Sequence, residues 1–214
     1  MTVRVALFDF DQTLIRENSL GSLFKSVSGH RLIWPHAVPA FFTKKCWSAG
    51  VRQAIKEHLY KRYLIGISEC QLYELGQKQA HSYTPISEVV DALQKHAAGN
   101  GEVWIVTASP APFVRGIIDS LGWPYHCLIG TNLPEVDGLY NGDLGLECSH
   151  EEKVININKA VRKQNGLVDL ELAYGNLPPD LPMLLMAEKA FIVTEGKVRK
   201  LRKCHTLSVD NVLT

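Results

Sequence analysis

The stretch that decides the fold is residues 3–13, VRVALFDFDQT. Val3 to Phe8 is an apolar run rich in β-branched and aromatic residues, which predicts a buried strand. It ends in Asp9 and Asp11, one residue apart. In open α/β sheets, ligands sit just beyond the carboxyl ends of the strands. Two carboxylates held there repel unless a cation or a proton lies between them. A small hard cation such as Mg²⁺ suits that position, because it takes oxygen ligands and shares them with a phosphate. The competing reading is a pair of solvated turn residues after an edge strand. The rest of the chain decides between the two.

Two more strand ends and one helix start carry polar chemistry. Glu102 to Val106 predicts a second buried strand, ending in Thr107-Ala108-Ser109-Pro110. The helix that follows, Ala111 to Leu121, has Ser109 as its expected N-cap and Pro110 at its first position. A threonine hydroxyl beside a helix start is an anion site in the making, although a plain capping turn has the same sequence. Tyr125 to Gly130 predicts a short third strand, and the turn formers of 131–146 a hairpin off the main sheet. Ser149 to Lys153 opens a helix reaching about Gln164, with Lys153 in the first turn against the helix dipole. Most such lysines are solvated; one beside an anion site holds a phosphate. Val168 to Tyr174 predicts a fourth strand, ending in Gly175-Asn176-Leu177-Pro178-Pro179-Asp180. A helix over 181–188 and a fifth strand over 190–193 follow, and the basic run 197–203 reads as a solvated surface segment.

Between the first strand and the helix opened by Pro85, residues 17–83 show little strand character and several helical spacings, such as Val51-Ile55-Leu59. The expectation is therefore a core built from residues 1–16 and 84–214, with a small all-helical insertion over 17–83. Within it, Leu32 to Trp47 is unusually aromatic. It reads either as an elbow packed on its own domain or as an exposed patch that meets an acyl chain or membrane surface.

Bulk properties bound the function. At 214 residues the chain suffices for one sizeable core with a small insertion. A net charge of +1 gives no reason to expect nucleic acid. The five cysteines are odd in number and form no CxxC pair, so they read as reduced thiols in a cytoplasmic protein. No signal peptide is expected, and no apolar run reaches the roughly 20 residues of a membrane span. The sequence leaves the oligomeric state open.

Strands alternating with helices predict an α/β fold with a doubly wound parallel sheet. In that fold the ends of the first, second and fourth strands meet at one crevice, which gathers Asp9, Asp11, Thr107, Asn176 and Asp180, with Lys153 reaching in. In this order the motifs resemble the haloacid dehalogenase-like (HAD) superfamily, over essentially the whole chain. DFDQTL (9–14) matches its first motif, Thr107 the second, Lys153 the third and YGNLPPDLPML (174–184) the fourth. The insertion looks like the cap of the phosphoserine-phosphatase-like branch (subfamily IB), on a HAD-like Rossmannoid core.

The resemblance implies a Mg²⁺-dependent phosphomonoester hydrolase. Asp9 is the implied nucleophile, forming an aspartyl-phosphate, and Asp11 the general acid and base. Thr107, the Ala108 N–H and Lys153 are the implied phosphate ligands. Asp9, the Asp11 carbonyl and Asn176 are the implied metal ligands, with Asp180 behind them. The implied partner is a small or lipid-linked phosphorylated substrate. The family usually has Asp where this chain has Asn176, and a small residue where it has Leu177. One negative charge is therefore missing. Three readings follow: an active site with a natural Asn, a weakened phospholigand-binding protein, or an engineered trap. Phosphotransfer to a second alcohol in place of water is a further alternative.

Overall fold

The computed structural model describes residues 2–29, 51–164 and 167–202. β1 (Val3–Phe8) alternates strictly at its end, with Val5 and Leu7 facing one side and Ala6 and Phe8 the other, all without exposed surface. A strand apolar on both faces must be covered on both. The remaining strands are β2 (Glu102–Pro110), β3 (Cys127–Thr131), the hairpin β4 (Glu135–Val136) and β5 (Leu139–Tyr140), then β6 (Val168–Gly175), β7 (Lys189–Thr194) and β8 (Lys197–Lys200). The main sheet has the order β3-β2-β1-β6-β7-β8 and is parallel throughout except for the β7–β8 pair.

One face of this sheet packs Ala6, Phe8, Val103 and Ile105 against Val89 and Leu93 of one helix (Ser87–Ala98) and Phe113 and Ile117 of another (Ala111–Leu121). The other packs Val5, Leu7, Trp104 and Val106 against Ile157 of the Glu151–Lys163 helix and Met183 and Leu184 of a short helix, Leu181–Met186. Each large apolar side chain so buried contributes about 1.5–3 kcal/mol. The architecture is the doubly wound α/β fold that the alternation of strands and helices predicts.

In chain order the helices are α1 (Ser19–Ser28), α2 (Val51–Tyr63), α3 (Glu69–Gln79), α4 (Ser87–Ala98), α5 (Ala111–Leu121), α6 (Glu151–Lys163) and α7 (Leu181–Met186) among the described residues, with one 3₁₀ turn at Ala80–Ser82. Asn18 caps α1 by accepting from the Gly21 N–H at 3.0 Å. A capping box of Ser68 and Gln71 starts α3. The buried residues of α1–α3, including Leu23, Phe24, Leu59, Tyr60 and Leu72, belong to the same apolar cluster as the sheet face under α4 and α5. The contact is closest where α3 crosses α5. A Cβ on Gly76 would lie 2.1 Å from the Phe113 carbonyl oxygen, and one on Gly116 would lie 2.1 Å from that of Tyr73. The two backbones therefore touch with no side chain between them.

The Leu32–Trp47 stretch lies outside the described residues. Among the described residues, no helix is long and apolar enough to cross a membrane. One local expectation is corrected. Ser109 does not cap α5, because β2 continues to Pro110, which takes the N-cap position without a side-chain bond. The basic run lies at the surface as expected, with Lys197, Arg199 and Lys200 exposed, and residues 197–200 form β8, joined to β7 by Glu195 and Gly196 at φ 51° and 75°. Positive φ at both positions gives the tight turn that matches strand twist. Its Lys and Arg side chains suit an exposed edge strand, where charge discourages further pairing.

Candidate active site

β1 lies between β2 and β6, so the three strand ends that carry polar residues are neighbours. After β1 the chain turns sharply, with Gln12 in the left-handed region at φ 59° and the Leu14 N–H bonded to the Phe10 carbonyl at 3.0 Å. A non-glycine residue held there is uncommon and is characteristic of functional turns. The turn brings the Thr13 hydroxyl back to donate to Asp9 Oδ2 at 2.9 Å.

Lys153 is the centre of the charge arrangement. It sits in the first turn of α6, which starts at His150 with φ 49°, and is 2% exposed. Its Nζ donates to Asp9 Oδ1 at 2.6 Å, to Asp180 Oδ1 at 2.6 Å and to the Val106 carbonyl at 2.9 Å. All three ammonium protons are thereby used. Burial works to lower its pKa, but Asp9 and Asp180 outweigh burial and hold it above the ordinary lysine value. Asp180 Oδ2 accepts from the Asn176 N–H at 2.8 Å, which ties the loop after β6 to the same ammonium. This approach needs Gly175, where a Cβ would stand 2.7 Å from that of Asp180.

Asp11 is held from different elements. Its Oδ1 accepts from the Ser19 N–H at the start of α1 at 2.6 Å, and its Oδ2 from the Ser109 hydroxyl at 2.8 Å. The Ser19 and Ser109 hydroxyls are 2.9 Å apart. Ser19, Ser109 and Thr13 were not among the candidate residues read from the sequence. The TASP run held the signal for Ser109, but a serine before Pro and a helix reads first as a cap.

Burial, then the charge of Asp180, push the Asp9 carboxyl up to about 7, against Lys153 and Thr13, which lower it. Burial also raises Asp11, with Ser19 and Ser109 opposing and the Asp9 charge adding. Two buried carboxylates, Asp9 and Asp180, thus share one ammonium, with the half-buried Asp11 carboxyl beside them. Thr107 is fully buried at the β2 end and its Oγ1 accepts from the Ser109 N–H at 3.1 Å, leaving its own proton to donate. The Ala108 carbonyl accepts from the Thr131 hydroxyl at 2.7 Å. The β2–β3 register shifts between Val106 and Pro110, so residues 107–109 depart from regular pairing. Asn176 Nδ2 lies 3.2 Å from the Asp11 carbonyl oxygen and 3.3 Å from Gln12 Oε1.

Arg16 and Glu17, where the chain enters the helical segment, have structural partners. Arg16 donates to the Glu195 carbonyl at 3.4 Å, and Glu17 accepts from the Thr84 N–H at 2.9 Å.

The sequence profile of the haloacid dehalogenase-like hydrolases matches residues 6–185. The chain belongs to the haloacid dehalogenase-like hydrolase family. A protein of Mycobacterium tuberculosis H37Rv, described as a probable phosphatase, is 25% identical over 207 residues, covering 92% of this chain and 70% of that protein. A structure from Bordetella pertussis Tohama I, described as a protein of unknown function, superposes with a TM-score of 0.68 at 22% identity, covering 89% of each chain. A phospho-aspartyl intermediate analogue of phosphoserine phosphatase superposes with a TM-score of 0.56 at 19% identity, covering 89% of this chain and 86% of that one. At such identities the structures establish the shared HAD fold.

The HAD fold implies Mg²⁺, and the donor set fits it. Buried Asp9 and Asp180 share the single Lys153 ammonium, and half-buried Asp11 adds a third carboxyl at the same strand end, so acidic groups outnumber the one cation. The oxygens on offer, a carboxylate, a backbone carbonyl and a carboxamide, are hard ligands. Among the described residues no group of three or more His, Cys, Asp or Glu side chains is arranged around a metal site. The fit therefore depends on the Asp11 carbonyl and on Asn176 supplying its amide oxygen.

Proposed function

We infer that this protein is a Mg²⁺-dependent phosphomonoester hydrolase that works through an aspartyl-phosphate on Asp9, on a small or lipid-linked phosphate ester. The observation that carries the reading is Lys153, buried between Asp9 and Asp180, with Asp11 held at the same strand end by Ser109 and Ser19. The phosphatase description of the mycobacterial relative supports it, as does the phospho-aspartyl title of the structural neighbour.

In the first step an oxygen of Asp9 attacks phosphorus and the bond from phosphorus to the alcohol oxygen breaks. Asp11 gives that oxygen a proton, a task suited to a carboxyl whose pKa is raised by burial. In the second step water attacks phosphorus, Asp11 takes the water's proton, and the bond to Asp9 breaks to release phosphate. Thr107, the Ala108 N–H and Lys153 would hold the phosphoryl oxygens, Lys153 by exchanging one of its three bonds for one to phosphate. Asp9, the Asp11 carbonyl and Asn176 would hold Mg²⁺, which supplies charge neutralisation at the phosphoryl group. Residues 17–83 serve as the cap, and with 1–16 and 84–214 as the core the site lies where the two segments meet.

The test is hydrolysis of an aryl phosphate with Mg²⁺ by the protein and by Asp9→Asn. Activity that disappears in Asp9→Asn supports the reading; retained activity overturns it. A second reading, phosphate-ester binding without turnover, is favoured by the Asn176 amide, which bonds the Asp11 carbonyl where the family has a carboxylate. It predicts ester binding with no turnover at any Mg²⁺ concentration.

A further inference from the structure

Tyr60, on α2, has no exposed surface, and its hydroxyl has no hydrogen-bond partner. Buried hydroxyls are almost always bonded, so an orphan one calls for an explanation. The ring itself is fixed by Phe24 of α1, which meets it edge-on with centroids 5.3 Å apart at 78°. Burial, then the charges of Glu147 and Asp11, keep the phenol protonated, so it remains a donor. Lys56 lies one turn before Tyr60 on the same face of α2. It forms an ion pair with Glu147, in the segment leading to α6, and the two side chains are only 21% and 15% exposed.

We propose that Tyr60, with the Lys56–Glu147 pair beside it, is the subsite for the alcohol part of the phosphate ester, and that it selects a small hydroxylated alcohol over an apolar one of the same length. This rests on the hydrolase reading, in which Asp11 serves the ester oxygen. That oxygen is bonded to the first carbon of the alcohol, so the alcohol extends among the neighbours of Asp11. An apolar chain there leaves the phenol, the ammonium and the carboxylate without hydrogen-bonding substrate. A hydroxyl on the chain satisfies the phenol and joins the ion pair. Sites built to bond a substrate hydroxyl reject analogues that lack it, because their own buried polar groups are left unpaired. Between a small and a lipid-linked ester, this subsite chooses the small polar one.

The test is calorimetric binding of sn-glycerol 3-phosphate and n-propyl phosphate, which differ only in their hydroxyls. It is run in the Asp9→Asn background, where the hydrolase reading has the ester unconsumed, with and without Tyr60→Phe. Glycerol phosphate is expected to bind about tenfold more tightly than propyl phosphate. Tyr60→Phe is expected to abolish that preference and leave propyl phosphate unchanged. The proposal is overturned if the preference survives Tyr60→Phe, if both esters weaken equally, or if neither binds. A merely structural tyrosine leaves the preference untouched. Tyr60→Phe removes only an unpartnered hydroxyl, and an unchanged or raised Tm confirms that it folds. Failure of the hydrolase reading is seen separately, as aryl phosphate hydrolysis retained in Asp9→Asn.

Discussion

Asn176 Nδ2 stands 3.2 Å from the backbone carbonyl oxygen of Asp11, so the amide donates to the group that the HAD fold implies as a metal ligand. The same amide reaches Gln12 Oε1 at 3.3 Å. Metal binding then competes with an internal hydrogen bond and gains no charge from position 176. Asn176→Asp restores the charge and removes the donor. Affinity for Mg²⁺, read by calorimetry, is expected to rise on the order of tenfold, since ligand charge tunes such sites strongly. Unchanged affinity would show that position 176 is not a ligand.

Lys153 forms ion pairs with two buried carboxylates at once. Lys153→Met leaves both without a charged partner, and removing one member of a buried ion pair costs about 3–5 kcal/mol. Urea unfolding without metal is expected to show a loss of that size, and aryl phosphate hydrolysis is expected to vanish. A loss below about 1 kcal/mol would mean that Asp9 and Asp180 have other partners.

Ser109 gives Asp11 one of its two anchoring hydrogen bonds, the other coming from the Ser19 N–H. A hydrogen bond to a charged group contributes about 1.5–3 kcal/mol. Ser109→Ala is expected to lower kcat by about tenfold or more with KM little changed, because the bond positions the group proposed to transfer the proton rather than the substrate. A rise in KM alone would place Ser109 in substrate binding instead.

The α3–α5 crossing makes a different kind of prediction. Gly116→Ala places a methyl carbon 2.1 Å from the Tyr73 carbonyl, and a backbone carbonyl is not a flexible neighbour. The helices must separate, at a cost of about 1–3 kcal/mol typical of overpacking. Thermal unfolding is expected to show a lower Tm with the metal affinity of the site unchanged. No shift in Tm would mean that α3 is loosely seated.

Much of the site was legible in the sequence because strand ends in this fold converge, and each polar residue after a strand was therefore a candidate. Asp9, Asp11, Thr107, Asn176, Asp180 and Lys153 are neighbours at the ends of β1, β2 and β6 and the start of α6. What escaped was the support around them. Ser19 acts through its backbone N–H, which has no residue identity to read. Ser109 was masked by a stronger local signal, Ser-Pro before a helix, and only the continuation of β2 through Pro110 turns it toward Asp11. Gly76 and Gly116 lie about 40 residues apart and acquire meaning only when their helices cross. β8 was hidden by its charge, although Glu195-Gly196 marked its turn.

The most direct test of the central claim is to reduce the enzyme with borohydride during turnover of an aryl phosphate and sequence it by mass spectrometry. An aspartyl-phosphate is an acyl phosphate, which borohydride converts to homoserine, whereas a free carboxylate survives. The account predicts homoserine at position 9, dependent on substrate and Mg²⁺, with Asp11 and Asp180 unchanged. Turnover with Asp9 left intact, or with the mark at another residue, would contradict it.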